Sequence, residues 1–362
     1  MNKSRSLSQS QLMWIRFRKH RLAMVGLWIM AALYILAIFA EFWAPYSPLQ
    51  RFSEYVYCPP QRFHFIDEKG RFHLRPFIYG LKSEFDLEKF ATIYKEDKSK
   101  KYFLRFFMQG SEYKLIGLFK TNIHFLGVDN GGTMFLLGTD DLGRDLLSRI
   151  IHGARISLSI GLVGVFLSLI IGLILGGISG LLGGITDDII QRIIELLRSI
   201  PHIPLWMGIS AALPANWSPL RIYFGITIIL SFLGWTGIAR VVRSKFFSLR
   251  EEDFVLAAYA AGASEWRIIT KHLIPSFISY VIVNVTISIP GMILGETSLS
   301  FLGLGLRPPV VSWGVLLQQA QNISAINTYP WLLSPAAFVV ISVLAFNFIG
   351  DGLRDAADPY SH

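Results

Sequence analysis

Six stretches of this chain are long and uncharged enough to cross a bilayer, and they restrict its possible folds more than any other feature. They are Leu22–Ala40, Ile156–Thr186, Ser199–Leu220, Ile222–Ala239, Leu273–Gly295 and the end of the Pro308–Gly350 run. In the last run, polar and turn-prone residues from Gln318 to Pro330 put the helix start near Trp331. A helix needs about 20 mostly apolar residues to span the hydrocarbon core, and in lipid only helices and closed barrels satisfy their own backbone polar groups. Composition agrees: 16% of the 362 residues are charged and mean hydropathy is +0.46, against about 25% charged residues in soluble domains. The expected fold is an all-α polytopic membrane protein with six transmembrane helices. Pro201, Pro204 and Pro214 interrupt the third, and each proline removes a helix hydrogen bond.

The charges give an orientation. Lys3, Arg5, Arg16, Arg18, Lys19 and Arg21 precede the first run, which is longer than the ~7–15-residue apolar core of a signal peptide. It reads as a retained span with a cytoplasmic N-terminus. Arg240, Arg243, Lys245, Arg250, Arg267 and Lys271 follow the fourth span, while Gly305–Trp331 carries Arg307 alone. Short loops rich in Lys and Arg stay inside, so Arg240–Lys271 is expected in the cytoplasm, with both termini, and Pro45–Arg155 outside. The net charge of +9, from 34 basic and 25 acidic residues, then records orientation, and no nucleic-acid partner is expected. The single cysteine, Cys58, excludes an intramolecular disulfide framework and a cysteine-built metal site. The expected order is a cytoplasmic segment 1–21, a first helix 22–43, an extracytoplasmic insert 44–136, a membrane core 137–350 and a cytoplasmic tail 351–362.

Within the insert, Arg62–Leu74 alternates around Lys69-Gly70 as a hairpin would, and Tyr102–Phe125 is rich in strand formers with a break at Gln109-Gly110. Tyr79–Lys101 reads as helical or irregular, so a small α+β insert is expected. Its aromatic and basic residues Tyr102, Phe103, Arg105, Phe106, Phe107 and Lys114 suit either contact with a partner or the insert's own core.

The cytoplasmic loop 246–275 contains Glu251–Pro275, EEDFVLAAYAAGASEWRIITKHLIP. Helix formers lead to a break at Gly262, Ser264 stands where a cap would, and Pro275 ends the second piece or opens the next span. Two short helices joined at a glycine either lie on the bilayer, with Trp266, Ile268 and Ile269 in the headgroups, or dock into a partner's groove. The order Ala257-Ala258, Gly262, His272-Leu273-Ile274-Pro275 resembles the EAA-type coupling loop of binding-protein-dependent ABC importer permeases. The residue before Ala257, usually Glu in that motif, is Leu256, so a salt bridge there does not carry over while apolar docking does.

A second resemblance narrows the family. Leu137–Leu158 (LGTDDLGRDLLSRIIHGARISL), Glu296–Gly314 (ETSLSFLGLGLRPPVVSWG), Gly350–Pro359 (GDGLRDAADP) and the N-terminal RFRKHRLAMVGLWI resemble the C-type permease subunit of dipeptide and oligopeptide (nickel-type) importers. The resemblance implies a subunit that forms part of a pathway for inward movement of peptides, or of another small solute such as nickel. It also implies cytoplasmic ATP-binding subunits, a second homologous permease subunit, an extracytoplasmic solute-binding protein and a bacterial or archaeal cytoplasmic (inner) membrane. ATP would be bound by the partner subunits, and neither cofactor nor metal is expected on this chain. Leu256, Ala257, Ala258, Gly262, His272 and Pro275 would couple to the ATPase, with Glu251–Pro275 acting as a lever.

Other residues have both a structural and a functional reading. Asp140, Gly143, Arg144, Asp145 and Arg149 precede the second span, where the charges either pair with one another or meet solute. Gly172, Gly176, Gly177, Gly180, Gly183 and Gly184 permit close helix approach. Glu296 is an acid in an apolar stretch, about 33 Å along its span at 1.5 Å per residue and so near the outer interface. Asn284, Thr286 and Ser288 lie nearer mid-span and either line the path or bond between helices. The sequence holds no G-x-x-x-x-G-K-[ST], HExxH or G-x-S-x-G motif, so the chain is not expected to be an enzyme. A membrane enzyme or a scaffold are the alternatives from other classes.

Overall fold

In a computed structural model of the chain, residues 9–87, 91–129, 131–214 and 216–357 are described. In chain order, helices α1 (Gln9–Lys19), α2 (Arg21–Ile38) and α3 (Ala40–Trp43) precede strands β1 (His64–Ile66), β2 (Phe72–Asp86), β3 (Ala91–Leu115) and β4 (Phe119–Val128). Then come α4 (Leu146–Leu182), α5 (Gly184–Ser199), α6 (His202–Ala211), α7 (Pro219–Leu249), α8 (Asp253–Ala260), α9 (Glu265–Ile268) and α10 (Ile274–Phe301). The chain ends with α11 (Trp313–Gln318), α12 (Ile323–Thr328) and α13 (Ser334–Ala357). The early basic residues Lys3 and Arg5 and the closing Asp358 and Pro359 lie outside the described residues.

Among the described residues, five helices are long and apolar enough to cross a membrane: Arg21–Ile38, Leu146–Leu182, Pro219–Leu249, Glu265–Phe301 and Pro330–Ala357. These answer to the first, second, fourth, fifth and sixth expected spans. The third expected span is not a continuous helix. Ser199 ends α5, Ile200 is extended, and α6 covers 10 residues before Ala212, about 15 Å against a core of about 30 Å. Pro201 sits at the N-cap of α6, where its missing N–H costs no helix bond. The basic loop expected after the fourth span is also corrected: Arg240, Arg243 and Lys245 are still helical, because α7 runs to Leu249.

The chain divides into two compact units. In the first, formed by residues 1–31, 158–299 and 340–362, α4 packs on α7 through a glycine stripe. A Cβ at Gly176 would stand 2.5 Å from the Ala239 carbonyl, and one at Gly180 would stand 2.6 Å from Phe246 Cβ. Glycine is thus the residue that lets these two backbones approach. At the neighbouring end of the stripe, Asp187 of α5 accepts from Arg243 of α7 and from Ser179 of α4.

The second unit, 32–157 with 300–339, contains the insert. Its described part from residue 44 to 136 is four antiparallel strands with no helix, so the α+β expectation is corrected to β. The Lys69-Gly70 hairpin is present, with Gly70 at φ +71° and Asp67 accepting from the backbone N–H groups of Lys69 and Arg71. The described residues Tyr79–Asp86 and Ala91–Lys101 are strand rather than helix. β3 pairs with β2 from Ala91 to Phe103 and with β4 from Leu104 to Leu115, so one long strand serves two successive hairpins. Gln109-Gly110 marks only a register shift, and the reversal comes at Ile116-Gly117, both at positive φ.

Candidate functional site

The connection between α7 and α10 is the first candidate. Its eight-residue helix α8 ends in a Schellman cap: Gly262 N–H donates to the Tyr259 carbonyl and Ala263 N–H to the Ala258 carbonyl, with Gly262 at φ +76°. Nothing lies within 4 Å of where a Cβ at Gly262 would stand, so backbone conformation rather than space calls for glycine. Ser264 occupies the N-cap of α9, but its side chain makes no capping bond. One face of the pair is anchored. Val255, Ile268 and Leu273 are fully buried in a cluster with Val242, Phe246 and Phe277.

The opposite face is open and apolar. Phe254, Leu256, Tyr259 and Trp266 are 42%, 52%, 41% and 74% exposed, Ala257 and Pro275 are exposed, and Ala258 and His272 are half-buried. The His272 ring lies 6.5 Å from that of Phe254. Helix α9 does not stop before the membrane span. Ile269–Leu273 forms a π-helical turn, closed by Ile274 N–H on the Ile269 carbonyl, and leads directly into α10. The wide turn lies just before Pro275, which has no N–H to give the Lys271 carbonyl. Helical backbone therefore runs without a break from α9 into the span.

The second candidate is the segment before α4, whose charges are internal. Asp140 is fully buried: Oδ1 accepts from the N–H groups of Leu142 and Arg144 at 2.9 Å, and Oδ2 from Arg144 Nε at 2.8 Å and from Arg149 Nη1. Asp141 accepts from Gln319 Nε2 at 2.6 Å. Asp145 Oδ2 accepts from Ser148 N–H and Oγ at 2.8 and 2.6 Å. Burial pushes the Asp145 carboxyl up to about 7, against the pull of the Ser148 hydrogen bonds and with help from the Asp140 charge. A Cβ on Gly143, at φ +68°, would stand 2.1 Å from the Phe52 carbonyl.

Partners distant in sequence complete this second cluster. Trp331 Nε1 donates to the Thr139 carbonyl at 3.0 Å, Trp313 Nε1 to that of Ile150 at 3.1 Å, and Trp313 N–H to Ser157 Oγ at 3.1 Å. The Tyr57 and Tyr329 rings stack with centroids 4.1 Å apart. The two tryptophans are members that residue-type reasoning misses: neither carries a charge, and although Trp313 closes the Glu296–Gly314 motif, nothing in that motif points to the α4 segment.

The mid-span candidates do not share one wall. At about 100° per residue, Asn284 and Ser288 lie on one face of α10 and Thr286 about 200° away from Asn284. All three bond to carbonyls of their own helix, those of Tyr280, Ile282 and Asn284. Glu296 is fully buried in protein.

Long apolar helices and an exposed helical pair continuous with one of them define a multi-pass membrane component. The family model for the binding-protein-dependent transport system inner membrane component matches residues 168–360, and that for the N-terminal TM domain of oligopeptide transport permease C matches residues 8–60. The chain belongs to the family of binding-protein-dependent transport system inner membrane components. It is therefore a multi-pass inner-membrane protein and a transport component rather than an enzyme. The dipeptide transport system permease protein DppC of Lactococcus lactis subsp. cremoris is 33% identical over 98% of this chain and 91% of its own length. The oligopeptide transport system permease protein OppC of Haemophilus influenzae is 44% identical over 61% of this chain and 69% of its own. A chain of the solved MetNI methionine ABC transporter aligns over 57% of this chain and 96% of its own, with a TM-score of 0.46 and 20% identity.

Proposed function

We propose that this chain is a permease subunit forming part of the membrane pathway for uptake of di- or oligopeptides, driven by ATP hydrolysis on partner subunits. The carrying observation is the end-to-end match, insert included, to a relative named for dipeptide transport. The exposed apolar face of α8–α9 supports docking of a cytoplasmic ATP-binding subunit, with Leu256, Ala257, Ala258, Gly262, His272 and Pro275 on the docking element and the π turn passing the motion to α10. A second homologous permease subunit and an extracytoplasmic binding protein complete the assembly. ATP is held by the partners, and this chain uses no cofactor or metal.

The proposed topology has six crossings and both termini in the cytoplasm, with the insert outside. The third crossing is the broken pair α5–α6, which starts where Asp187 pairs with Arg243 of α7. Asn284 and Ser288 face the path, Glu296 and Thr286 serve packing between helices, and Asp140, Gly143, Arg144, Asp145 and Arg149 fix the chain where it enters the bilayer. Deleting this subunit from cells that require an imported dipeptide as amino-acid source tests the reading. Growth should fail on the dipeptide and persist on free amino acids; unchanged growth on both, or a selective loss of nickel uptake, would overturn it.

A further inference from the structure

Beside the cytoplasmic connection the first unit holds an open cavity of about 590 Å³ between α7, α10 and α13. Lys245 stands one turn before the end of α7, Ser276 in the first turn of α10 and Arg354 in the last turn of α13. Three helix ends therefore bring two cations and a hydroxyl to one rim. The Lys245 ammonium lies over the Tyr280 ring, 4.9 Å from its centroid, which keeps the charge at the mouth of the cavity. Further in, the wall turns apolar through Val283 and Ile287. From Ser276 to Ile287 the α10 wall runs about 16 Å at 1.5 Å per residue.

Charge at one end and hydrocarbon at the other, along a helix that crosses a bilayer, match an anionic amphiphile. Among the described residues lining the cavity none is acidic, so a zwitterionic peptide would find cations for its carboxylate and no carboxylate among them for its ammonium. Arg and Lys together suit a phosphate, Arg through its planar fork and Lys as a point charge. Basic pockets between membrane helices on the cytoplasmic side take anionic lipid headgroups. We propose that this cavity binds an anionic phospholipid, its phosphate between Lys245 and Arg354 and one acyl chain along Val283 and Ile287. The inference goes beyond peptide uptake and does not depend on which solute moves. It shares one wall residue, Asn284, with the proposed path, and the test separates the two.

The full chain, in nanodiscs of equal phosphatidylglycerol and phosphatidylcholine, is stripped with mild detergent, and the lipid it retains is counted by native mass spectrometry. The wild type should retain phosphatidylglycerol selectively. Lys245→Gln with Arg354→Gln should weaken retention about 30-fold, from the attraction of two cations to anionic lipid. Val283→Trp should weaken it by filling the apolar end, and the charge-keeping pair Lys245→Arg with Arg354→Lys should retain it, so misfolding is not mistaken for lost binding. Equal retention of the two lipids, or unchanged retention in the double Gln variant, would overturn the proposal. Displacement by millimolar inorganic phosphate would reassign the cations to a free anion, and displacement by a millimolar dipeptide would reassign the cavity to the solute path. Exclusion of lipid on assembly with the second permease subunit would make it a subunit interface. Each of these three results also overturns the lipid proposal.

Discussion

Replacing Gly262 by valine tests the α8–α9 turn at its most sensitive point. The residue holds φ +76° and donates to the Tyr259 carbonyl, while Ala263 donates to the Ala258 carbonyl. An L-residue in the left-handed region costs about 1–2 kcal/mol, and a β-branched one lies at the upper end. Space adds nothing, since no atom stands within 4 Å of the new Cβ. A change of 1–2 kcal/mol is a factor of about 5–30 in the fraction of molecules holding the docking geometry. The helical pair has little reserve to absorb that loss, because helices of this length are marginal by themselves. Affinity of the reconstituted permease for its ATP-binding subunit, measured by titration with labelled subunit, should fall by that factor in Gly262→Val. Membrane insertion should be unchanged. Gly262→Asn, which tolerates the left-handed region, should stay within about threefold of wild type, from a residual cost of a few tenths of a kcal/mol. Normal affinity in the valine variant, or an equal loss in the asparagine variant, would refute the reasoning.

Three further outcomes are expected. A carboxyl with a raised pKa adds stability that is complete below its unfolded value, near 4, and is lost as pH rises through about 7; Asp145→Asn should therefore flatten the fall in melting temperature between these pH values, and an unchanged slope would assign the dependence elsewhere. Asp140→Ala leaves two guanidinium groups near a buried vacancy and should cost about 3–5 kcal/mol, read as lost folded yield in detergent, whereas yield equal to wild type would contradict the buried pairing. Single cysteines at the exposed positions Ser248 and Ser111 should be labelled from opposite sides of sealed vesicles, and equal labelling from outside would sink the topology. Native Cys58 is fully buried, with a thiol pushed up to about 12, and should give little background.

The spans that were legible in the sequence are those whose apolar runs are unbroken, because bilayer thickness sets a length that few other folds imitate. The third expected span differs for a physical reason: its apolar run crosses the proline breaks, so only the ten-residue α6 forms there, after the charged helix α5 with Asp187, Asp188, Arg192, Glu195 and Arg198. The β2–β3 pairing is hidden by the charged run Lys95–Lys101: diagonally across the two strands Lys82 meets Asp97 and Glu84 meets Lys95, so cross-strand charge pairing stands in place of apolar alternation. The turn at Gly262 was readable because a Schellman cap leaves a local signature. Trp313 and Trp331 were not, since they meet the α4 segment from 163 and 192 residues away and nothing local announces a contact of that range. Pro275 did signal a change of helix geometry, which the structure resolves as a π turn rather than an end.

Accumulation of a radiolabelled dipeptide by proteoliposomes tests the central claim most directly. They would hold this chain with its second permease and ATP-binding subunits, with the binding protein on the outer side and ATP on the side of α8–α9. Uptake against a gradient should require ATP and the binding protein, and it should fall in Gly262→Val in proportion to lost subunit affinity. ATP-dependent accumulation of nickel or another solute with none of the dipeptide, or dipeptide entry indifferent to ATP, would contradict the account.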